Sequence, residues 1–250
     1  MIRGFSLVEL SIVLVILGLL TGGILAGQSL IRASELRAVS SEYQRYAASI
    51  ATFRDKYFGL PGDFRDATKF WGAAHATPAT CAVTQGTGTQ TCDGDGDGTI
   101  EHETSFTGSS EQFRFWQQLA NAGLIEGNYT GAKGSVGNID HAILGTNVPR
   151  SKLTNAGWGM RLFGSIGFMT NTQVLMFGAS QTNNMPFGYA LKPEEAWNID
   201  TKMDDGRPAY GSVVATEANL TCNTTAVAST AEYLLSASAV GCSLSFKAFQ

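Results

Sequence analysis

Three aspartates alternate with glycines in the middle of the chain, and residues of this type and spacing can bind a cation. Asp93, Asp95 and Asp97 occupy alternate positions and are followed by a glycine that allows a sharp turn. This pattern matches the front of a calcium-binding loop, in which the backbone carbonyl of Thr99 is a further oxygen ligand. Three carboxylates this close repel one another unless a cation joins them. The sequence therefore predicts a structural calcium site in this acidic loop, residues 93–101.

The rest of the acidic loop departs from the EF-hand pattern. The twelfth position is Thr104 rather than glutamate, so Glu101, Glu103 or an acid from elsewhere must supply the last carboxylate. We expect Glu101 to be the ligand and interpret His102 as an ordinary loop histidine. No helical pattern precedes Asp93, which predicts an isolated loop rather than a helix–loop–helix. A solvated acidic turn without a metal is the alternative interpretation.

A further carboxylate, Glu9, lies at the start of a long apolar segment. Residues 10–31 contain no charged side chain and are long enough to cross a bilayer as a helix. An acid is costly in hydrocarbon, so Glu9 indicates a specific partner rather than simple anchoring. A secretory signal peptide has its small-residue cleavage site after the apolar core, whereas Gly4 precedes the core here. Arg3 lies on the short N-terminal side of the apolar segment, and this positive charge predicts a cytoplasmic N-terminus.

The run Gly4-Phe5-Ser6-Leu7-Val8-Glu9 resembles the class III signal of type IV pilins and type II secretion pseudopilins. The resemblance implies that prepilin peptidase removes a leader, residues 1–4, by cutting between Gly4 and Phe5. It also implies N-methylation of Phe5 and recognition by Glu9 of the N-terminus of a neighbouring subunit. The implied localisation is the inner membrane with a periplasmic head, followed by a filament of sister subunits. An uncleaved signal anchor is the alternative.

Four cysteines, Cys81, Cys92, Cys222 and Cys242, indicate an oxidising compartment. Four cysteines allow three pairings, and the low cost of closing short loops favours Cys81–Cys92 and Cys222–Cys242. The Cys222–Cys242 pair also looks like the C-terminal disulfide of many type IV pilins, which closes a loop against the sheet. None of the spacings is a CxxC, so zinc-ribbon and thioredoxin-type chemistry have no support.

The secondary structure that positions these candidate residues begins with a helix. An apolar stripe that follows the apolar segment predicts that this helix is continuous. The stripe recurs at steps of three and four residues, which places it on one helix face: Leu36, Val39, Tyr43, Tyr46, Ile50, Phe53 and Tyr57. The intervening residues form a polar opposite face: Arg37, Glu42, Gln44, Arg45, Arg54 and Asp55. The pattern stops at residues 59–62, Gly-Leu-Pro-Gly. We predict one helix over 5–58, of which 5–31 is the transmembrane or filament-core part.

The remaining residues, 59–250, are predicted to form one head with an antiparallel β-sheet, which makes the fold α+β. Residues 113–125 have the pattern of a short amphipathic helix that ends at Gly123, and residues 158–169 and 173–177 that of neighbouring strands. A further helix is expected from Pro193 to an Asp-Gly turn at 205–206. The acids of that turn, Asp200, Asp204 and Asp205, are candidate cation ligands, although an Asx-type turn explains them better.

Composition and motifs exclude several functional classes. The formal net charge is −4 and no basic stripe is present, which disfavours nucleic acid as the main partner. The sequence has no Gly-x-Ser-x-Gly elbow, no Walker loop and no His-Glu-x-x-His, so we do not expect an enzyme. The resemblance implies a structural subunit of a type IV pilus-like filament. The alternatives are a pseudopilin of a type II secretion system and, with less support, a membrane-anchored periplasmic enzyme or binding protein.

Overall fold

The computed structural model describes residues 6–77, 84–101, 110–134 and 141–248. Within these ranges one long helix, α1 (Leu7–Tyr57), lies against a head made of shorter helices and an antiparallel sheet. The shorter helices are α2 (Ala67–Trp71), α3 (Glu111–Asn121) and α4 (Pro193–Met203). The strands are β1 (Ala156–Ile166), β2 (Met169–Ala179), β3 (Val213–Ala215) and β4 (Leu244–Lys247), in the spatial order β1-β2-β4-β3. The α+β class expected from the sequence is confirmed.

Helix α1 is continuous over 51 residues, about 76 Å at 1.5 Å per residue. A capping box begins it: the Ser6 hydroxyl accepts from the Val8 N–H at 3.2 Å, and the Glu9 carboxylate accepts from the Ser6 N–H at 2.9 Å. It ends at Tyr57 because Phe58 turns left-handed, with φ 56°, and donates its N–H to the carbonyl of Arg54 at 2.9 Å. The predicted helix over 5–58 is confirmed within the described residues.

The two halves of α1 have different surroundings. In the first half, none of the residues in an apolar window of 18 is buried, and the helix is long and apolar enough to cross a membrane. In the second half, Val39, Tyr46, Ile50 and Phe53 are buried against the head, as the apolar stripe predicted. The head therefore covers only the part of α1 that follows the apolar segment.

The sheet provides the surface that receives α1. Strands β1 and β2 form a hairpin in which Trp158 pairs with Phe177, and β4 pairs with β2 on its other side. The Trp158 ring lies 5.6 Å from that of Tyr46, and Phe246 of β4 stacks on Tyr43 at 4.8 Å. The sequence pattern carried the first strand on to residue 169, but Gly167, with φ 55°, reverses the chain first, so that residue 169 begins β2.

A buried carboxylate joins α1 to the head. Glu42 was placed on the polar face of the helix by the sequence pattern, and this was wrong, because Glu42 is only 6% exposed. Its carboxylate accepts hydrogen bonds from the Ser151 hydroxyl at 2.7 Å, the Lys152 N–H at 2.9 Å and the Trp158 indole N–H at 2.7 Å. Three donors compensate for the loss of hydration that burial of a charge entails.

An ion pair also joins α1 to the head, at a point nearer to the apolar half of the helix. The Arg32 guanidinium donates to both carboxylate oxygens of Glu195, at 2.7 and 2.6 Å, and to the carbonyl of Ala190 at 3.2 Å. Glu195 also accepts from the Lys192 N–H at 2.9 Å and so caps α4. Arg32 is the first charged residue after the apolar segment, so the head begins where that segment ends.

Other sequence predictions for the head have mixed outcomes. Helices α3 and α4 are confirmed, with Gly123 left-handed just after α3, and Cys222 and Cys242 form a disulfide as expected. Cys92 is disulfide-bonded, while its expected partner, Cys81, lies outside the described residues. Helix α2 and strands β3 and β4 were not predicted, because each is too short to show a period.

Replacement of Glu42 tests whether its buried carboxylate joins α1 to the head. Glu42→Ala leaves three donors, two of them buried, without their acceptor, so we expect the free energy of unfolding to fall by about 3 kcal/mol. Urea denaturation of the full chain in detergent, followed by tryptophan fluorescence, measures this change. Glu35→Ala is the matched control: Glu35 lies on the same helix, accepts from the exposed Thr154 at 3.1 Å and pairs with the partly exposed Arg32 at 3.5 Å, so its loss should cost less than about 1 kcal/mol. Equal losses would show that Glu42 does not join α1 to the head.

Candidate functional site

The N-terminal candidate residues lie at the end of α1 farthest from the head. Glu9 is in the first turn, exposed, and bonded to the N–H of its own Ser6. The cleavage position Gly4 and the methylation position Phe5 lie outside the described residues. The apolar side chains that follow Glu9 are all more than half exposed up to residue 20, for example Leu14 at 62%. This end of the chain thus presents an acid and a fully apolar helix surface to its surroundings.

The acidic loop lies against the segment that follows α1. Asp95, Asp97 and Glu101 each offer a carboxylate oxygen within 4.8 Å of the others. Asp97 accepts from the N–H of Thr99 at 2.7 Å, and the Thr99 hydroxyl bridges Asp97 and Glu101. Three of the five predicted ligands are therefore adjacent in space, and Thr99 contacts two of them through its hydroxyl, whereas its predicted ligand was the backbone carbonyl.

The fifth predicted ligand, Asp93, points to a different partner. One oxygen of its carboxylate accepts from the Thr68 N–H at 2.8 Å and the other from the Thr68 hydroxyl at 2.9 Å. Thr68 is in the first turn of α2, so Asp93 satisfies a free N–H at the start of that helix. The structure places Asp93 in a capping role and outside the carboxylate groups around Asp95.

Two carboxylates that the sequence pattern did not indicate complete the cluster. Asp63 and Glu111 each place an oxygen within 4.8 Å of Asp95 and of one another, and both are buried, at 3% and 2% exposed. They come from the segment after α1 and from the first turn of α3, far from the acidic loop in sequence. No local pattern marks them, although the sequence left room for an acid from elsewhere. We call the five residues Asp63, Asp95, Asp97, Glu101 and Glu111 the carboxylate cluster.

Backbone N–H groups hold the two buried acids in place. Asp63 accepts from the N–H groups of Gly96, Asp97 and Gly98, the last at 2.8 Å. The loop can approach this closely because Gly94 has no side chain: a Cβ there would lie 2.3 Å from the Cα of Asp63. The loop is therefore folded around the Asp63 carboxylate.

Glu111 holds the same loop from its other side. Its carboxylate accepts from the Asp95 N–H at 3.1 Å and from the Glu101 N–H at 3.3 Å. These two bonds tie both ends of the carboxylate-bearing stretch to the first turn of α3. A helix N-terminus favours an acid at this place, since free N–H groups point towards it.

The electrostatics of the carboxylate cluster favour proton or cation binding. Burial, with the charges of Asp95 and Asp97, raises the pKa of Asp63 to about 6. Burial and the proximity of Glu101 raise the pKa of Glu111 well above its usual range. The hydrogen bonds from Thr99 lower the pKa of the exposed Asp97. A divalent cation would offset both the burial of these carboxylates and their mutual repulsion, and clustered carboxylate oxygens are what Ca²⁺ takes as ligands.

The second acidic group, at the end of α4, is built differently. The Asp205 carboxylate accepts from the Arg207 N–H at 2.8 Å, which is the Asx-type turn expected from the sequence, and Asp204 accepts from the Val213 N–H at 3.1 Å. Asp200 is fully buried and accepts from the Tyr233 hydroxyl at 2.8 Å. These acids hold the loops around α4 and join α4 to the loop closed by the Cys222–Cys242 disulfide.

Comparison of the chain with protein-family models, with curated proteins and with solved structures finds no match in any of the three. The functional argument therefore depends on the residues and geometry of the chain itself.

The buried Asp200 predicts a pH dependence of stability. Burial, followed by the charges of Asp205 and Asp204, raises its pKa from 3.8 to about 7, although hydrogen bonds from Tyr233 and Gly206 oppose this. The native protein therefore holds this proton more tightly than the unfolded chain. The stabilisation that comes from this proton is fully present below the ordinary pKa of an aspartate, 3.8, and is lost as the pH rises through about 7.

Asp200→Asn should flatten this decline, because asparagine keeps an acceptor for the Tyr233 hydroxyl and cannot ionise. Thermal unfolding of the full chain at a series of pH values from 4 to 8 measures the slope. Glu232→Gln, which removes an exposed carboxylate beside Tyr233, should retain the slope of the unmodified chain. The same slope in Asp200→Asn as in the unmodified chain would show that Asp200 is not its source.

Proposed function

We propose that this protein is a structural subunit of a type IV pilus-like filament that assembles through the first half of α1. The main support for this proposal is that the two halves of one unbroken helix need different surroundings. The second half is buried in its own head, whereas the first is apolar on all sides and uncovered. Such a surface is stable in a bilayer or among identical helices, because a helix satisfies its backbone hydrogen bonds internally in both.

Glu9 supports assembly rather than anchoring alone. A carboxylate within the apolar part of a helix needs a compensating positive group when it leaves water. After cleavage between Gly4 and Phe5, the new amine of Phe5 supplies such a group on each copy. Pairing of Glu9 with this amine on a neighbour would fix the axial register, as a buried polar residue does in a coiled coil. In the isolated chain, Glu9 accepts instead from its own Ser6.

Two features of the head bear on which kind of filament is formed. The Cys222–Cys242 disulfide closes a loop whose end pairs with Leu191 beside the sheet, the arrangement expected for a type IV pilin. The carboxylate cluster instead favours the second candidate, a pseudopilin of a type II secretion system, because calcium-stapled heads are common in that class. We place the pilus subunit first, since the disulfide is formed in the chain itself.

We further propose that the carboxylate cluster binds Ca²⁺ as a structural ion. Its support is the burial of Asp63 and Glu111 beside three further acids, with burial raising the pKa of both. One cation would join the segment after α1, the acidic loop and α3. The ion would thus stabilise the end of the head farthest from the apolar half of α1.

Assembly tests the proposed function. Glu9→Ala should insert into membranes as well as the unmodified chain, since it removes a costly acid, but the yield of sheared filaments should fall sharply. The matched control is Ser6→Ala, which removes the capping hydroxyl, at a cost of about 1 kcal/mol, and leaves the Glu9 carboxylate in place. This control should assemble.

Processing must be verified in the same experiment. Mass spectrometry should show that both variants have lost residues 1–4 and carry a methyl group on Phe5. Normal filament yield from processed Glu9→Ala would contradict the proposed role of Glu9. An intact N-terminus in the unmodified protein would contradict the filament assignment itself.

Calcium binding is tested by comparison of two neighbouring aspartates. With Ca²⁺ at a hundred times its dissociation constant, the free energy of unfolding should rise by about 2.7 kcal/mol, and a chelator should reverse the gain. Asp95→Ala should abolish the response. Asp93→Ala should lower the basal stability by about 1 kcal/mol, through loss of its bonds to Thr68, and retain the response.

Thermal unfolding of oxidised protein, with Ca²⁺, Mg²⁺ or chelator, measures these effects. The disulfides must be intact because Cys92, next to the acidic loop, is disulfide-bonded. Mg²⁺ should substitute poorly, since it requires stricter octahedral geometry. Indifference of the melting temperature to Ca²⁺ would show that the acidic loop is an acidic turn without a metal.

A further inference from the structure

The end of the head nearest the apolar half of α1 is marked by the contacts of Arg32. Arg32 donates to the carbonyl of Ala190 at 3.2 Å and follows the apolar segment directly. The Ala190 N–H in turn donates to the carbonyl of Cys242 at 2.9 Å, and Leu191 pairs with Cys242. Cys242 therefore lies close to the level along α1 at which the apolar segment ends.

The direction of β4 shows how the head is oriented along α1. The Tyr43 hydroxyl donates to the carbonyl of Lys247 at 3.2 Å, so the far end of β4 lies beside Tyr43. From Arg32 to Tyr43 the helix rises about 17 Å, and from Cys242 to Lys247 an extended chain also rises about 17 Å. Strand β4 therefore ascends beside α1. Cys242 is thus at the end of this ascending segment that is nearer the apolar half, and the N–H of Gly241 beside it donates to the carbonyl of Leu191.

Three large side chains are exposed at this end of the head. Leu220 is 66% exposed, Val240 48% and Tyr189 42%. Hydrogen bonds join the segments that carry them: next to Leu220 and Val240, the Thr221 hydroxyl donates to the carbonyl of Gly241 at 3.0 Å. The amide of Asn219, on the other side of Leu220, donates to the Tyr189 hydroxyl, also at 3.0 Å. We call Tyr189, Leu220 and Val240 the basal patch.

We propose that the basal patch contacts lipid, lying in the headgroup region of the bilayer while α1 spans the membrane. The proposal rests on the proposed function in one respect, namely that α1 spans a bilayer before assembly. Lipid is the occupant that the geometry selects, because the contacts of Arg32 with Ala190, and of Ala190 with Cys242, hold the segments that carry the patch at the level where the apolar segment ends. Leucine, valine and the amphipathic ring of tyrosine suit the boundary between headgroups and acyl chains.

The proposal is tested with a fluorescent label on the patch. In the oxidised protein the described cysteines are all in disulfides, so Leu220→Cys offers a unique thiol for an environment-sensitive nitrobenzoxadiazole label. The full labelled chain is reconstituted into vesicles of phosphatidylethanolamine and phosphatidylglycerol. Quenching by lipids with a nitroxide near the headgroup then measures proximity to the bilayer.

Phe58→Cys is the matched control, since Phe58 is also exposed, at 94%, and lies at the far end of α1. From Arg32 to Phe58 the helix rises about 39 Å, so Phe58 is far from the bilayer when α1 spans it. The label at 220 should be quenched severalfold more strongly than that at 58.

Dilution of the protein in lipid separates lipid contact from contact with a second copy. Quenching at 220 should persist at high dilution. Equal quenching at the two positions in an inserted chain would overturn the inference alone. A blue shift at 220 that disappears on dilution would assign the patch to another copy of the chain and also overturn it. A chain that does not co-sediment with the vesicles would remove the proposed function and this inference together.

Discussion

The structure depends on the continuity of α1 through two environments. Helix α1 runs without a break through 51 residues, so the position of the head relative to the apolar half follows from where the second half is held. The head covers α1 from Arg32 onward and leaves the preceding segment bare. Whatever solvates that segment, lipid or sister helices, therefore also determines the orientation of the head.

Two polar contacts fix the head on α1, and they differ in what they contribute. Glu42 is buried with three donors, and such a group specifies one packing arrangement, because any slip would leave the carboxylate without partners. The pair of Arg32 with Glu195 is partly exposed, and ion pairs of this kind contribute little free energy. Its contribution is geometric, since it holds α4 and the Ala190 segment at the end of the apolar half.

The sequence predicted those features whose signals are local. Periodicity predicted α1 and α3, a start at Pro193 and an Asp-Gly stop predicted α4, strand patterns predicted that β1 and β2 are neighbours, and short loop length predicted the Cys222–Cys242 disulfide. Glu42 was misplaced because a charged residue beside an apolar stripe has the same pattern whether solvent or a buried indole faces it. Asp63 and Glu111 were missed because the fold, and no spacing in the sequence, brings them to Asp95. Asp93 has the spacing of a ligand. Its partner lies instead in α2, a helix that is too short to be predicted from the sequence.

The carboxylate cluster and α1 are linked by chain connectivity. Asp63 follows the end of α1 by only a few residues, and Glu111 begins α3, whose Trp116 packs on Tyr46 of α1 at 5.0 Å. Without a cation, burial raises the pKa of Asp63 to about 6, so the stabilisation that comes with its proton is lost as the pH rises through that value. A bound cation would replace that proton and tie the end of α1 to α3. The rigidity of α1 would then be secured at one end by the membrane or filament and at the other by the metal.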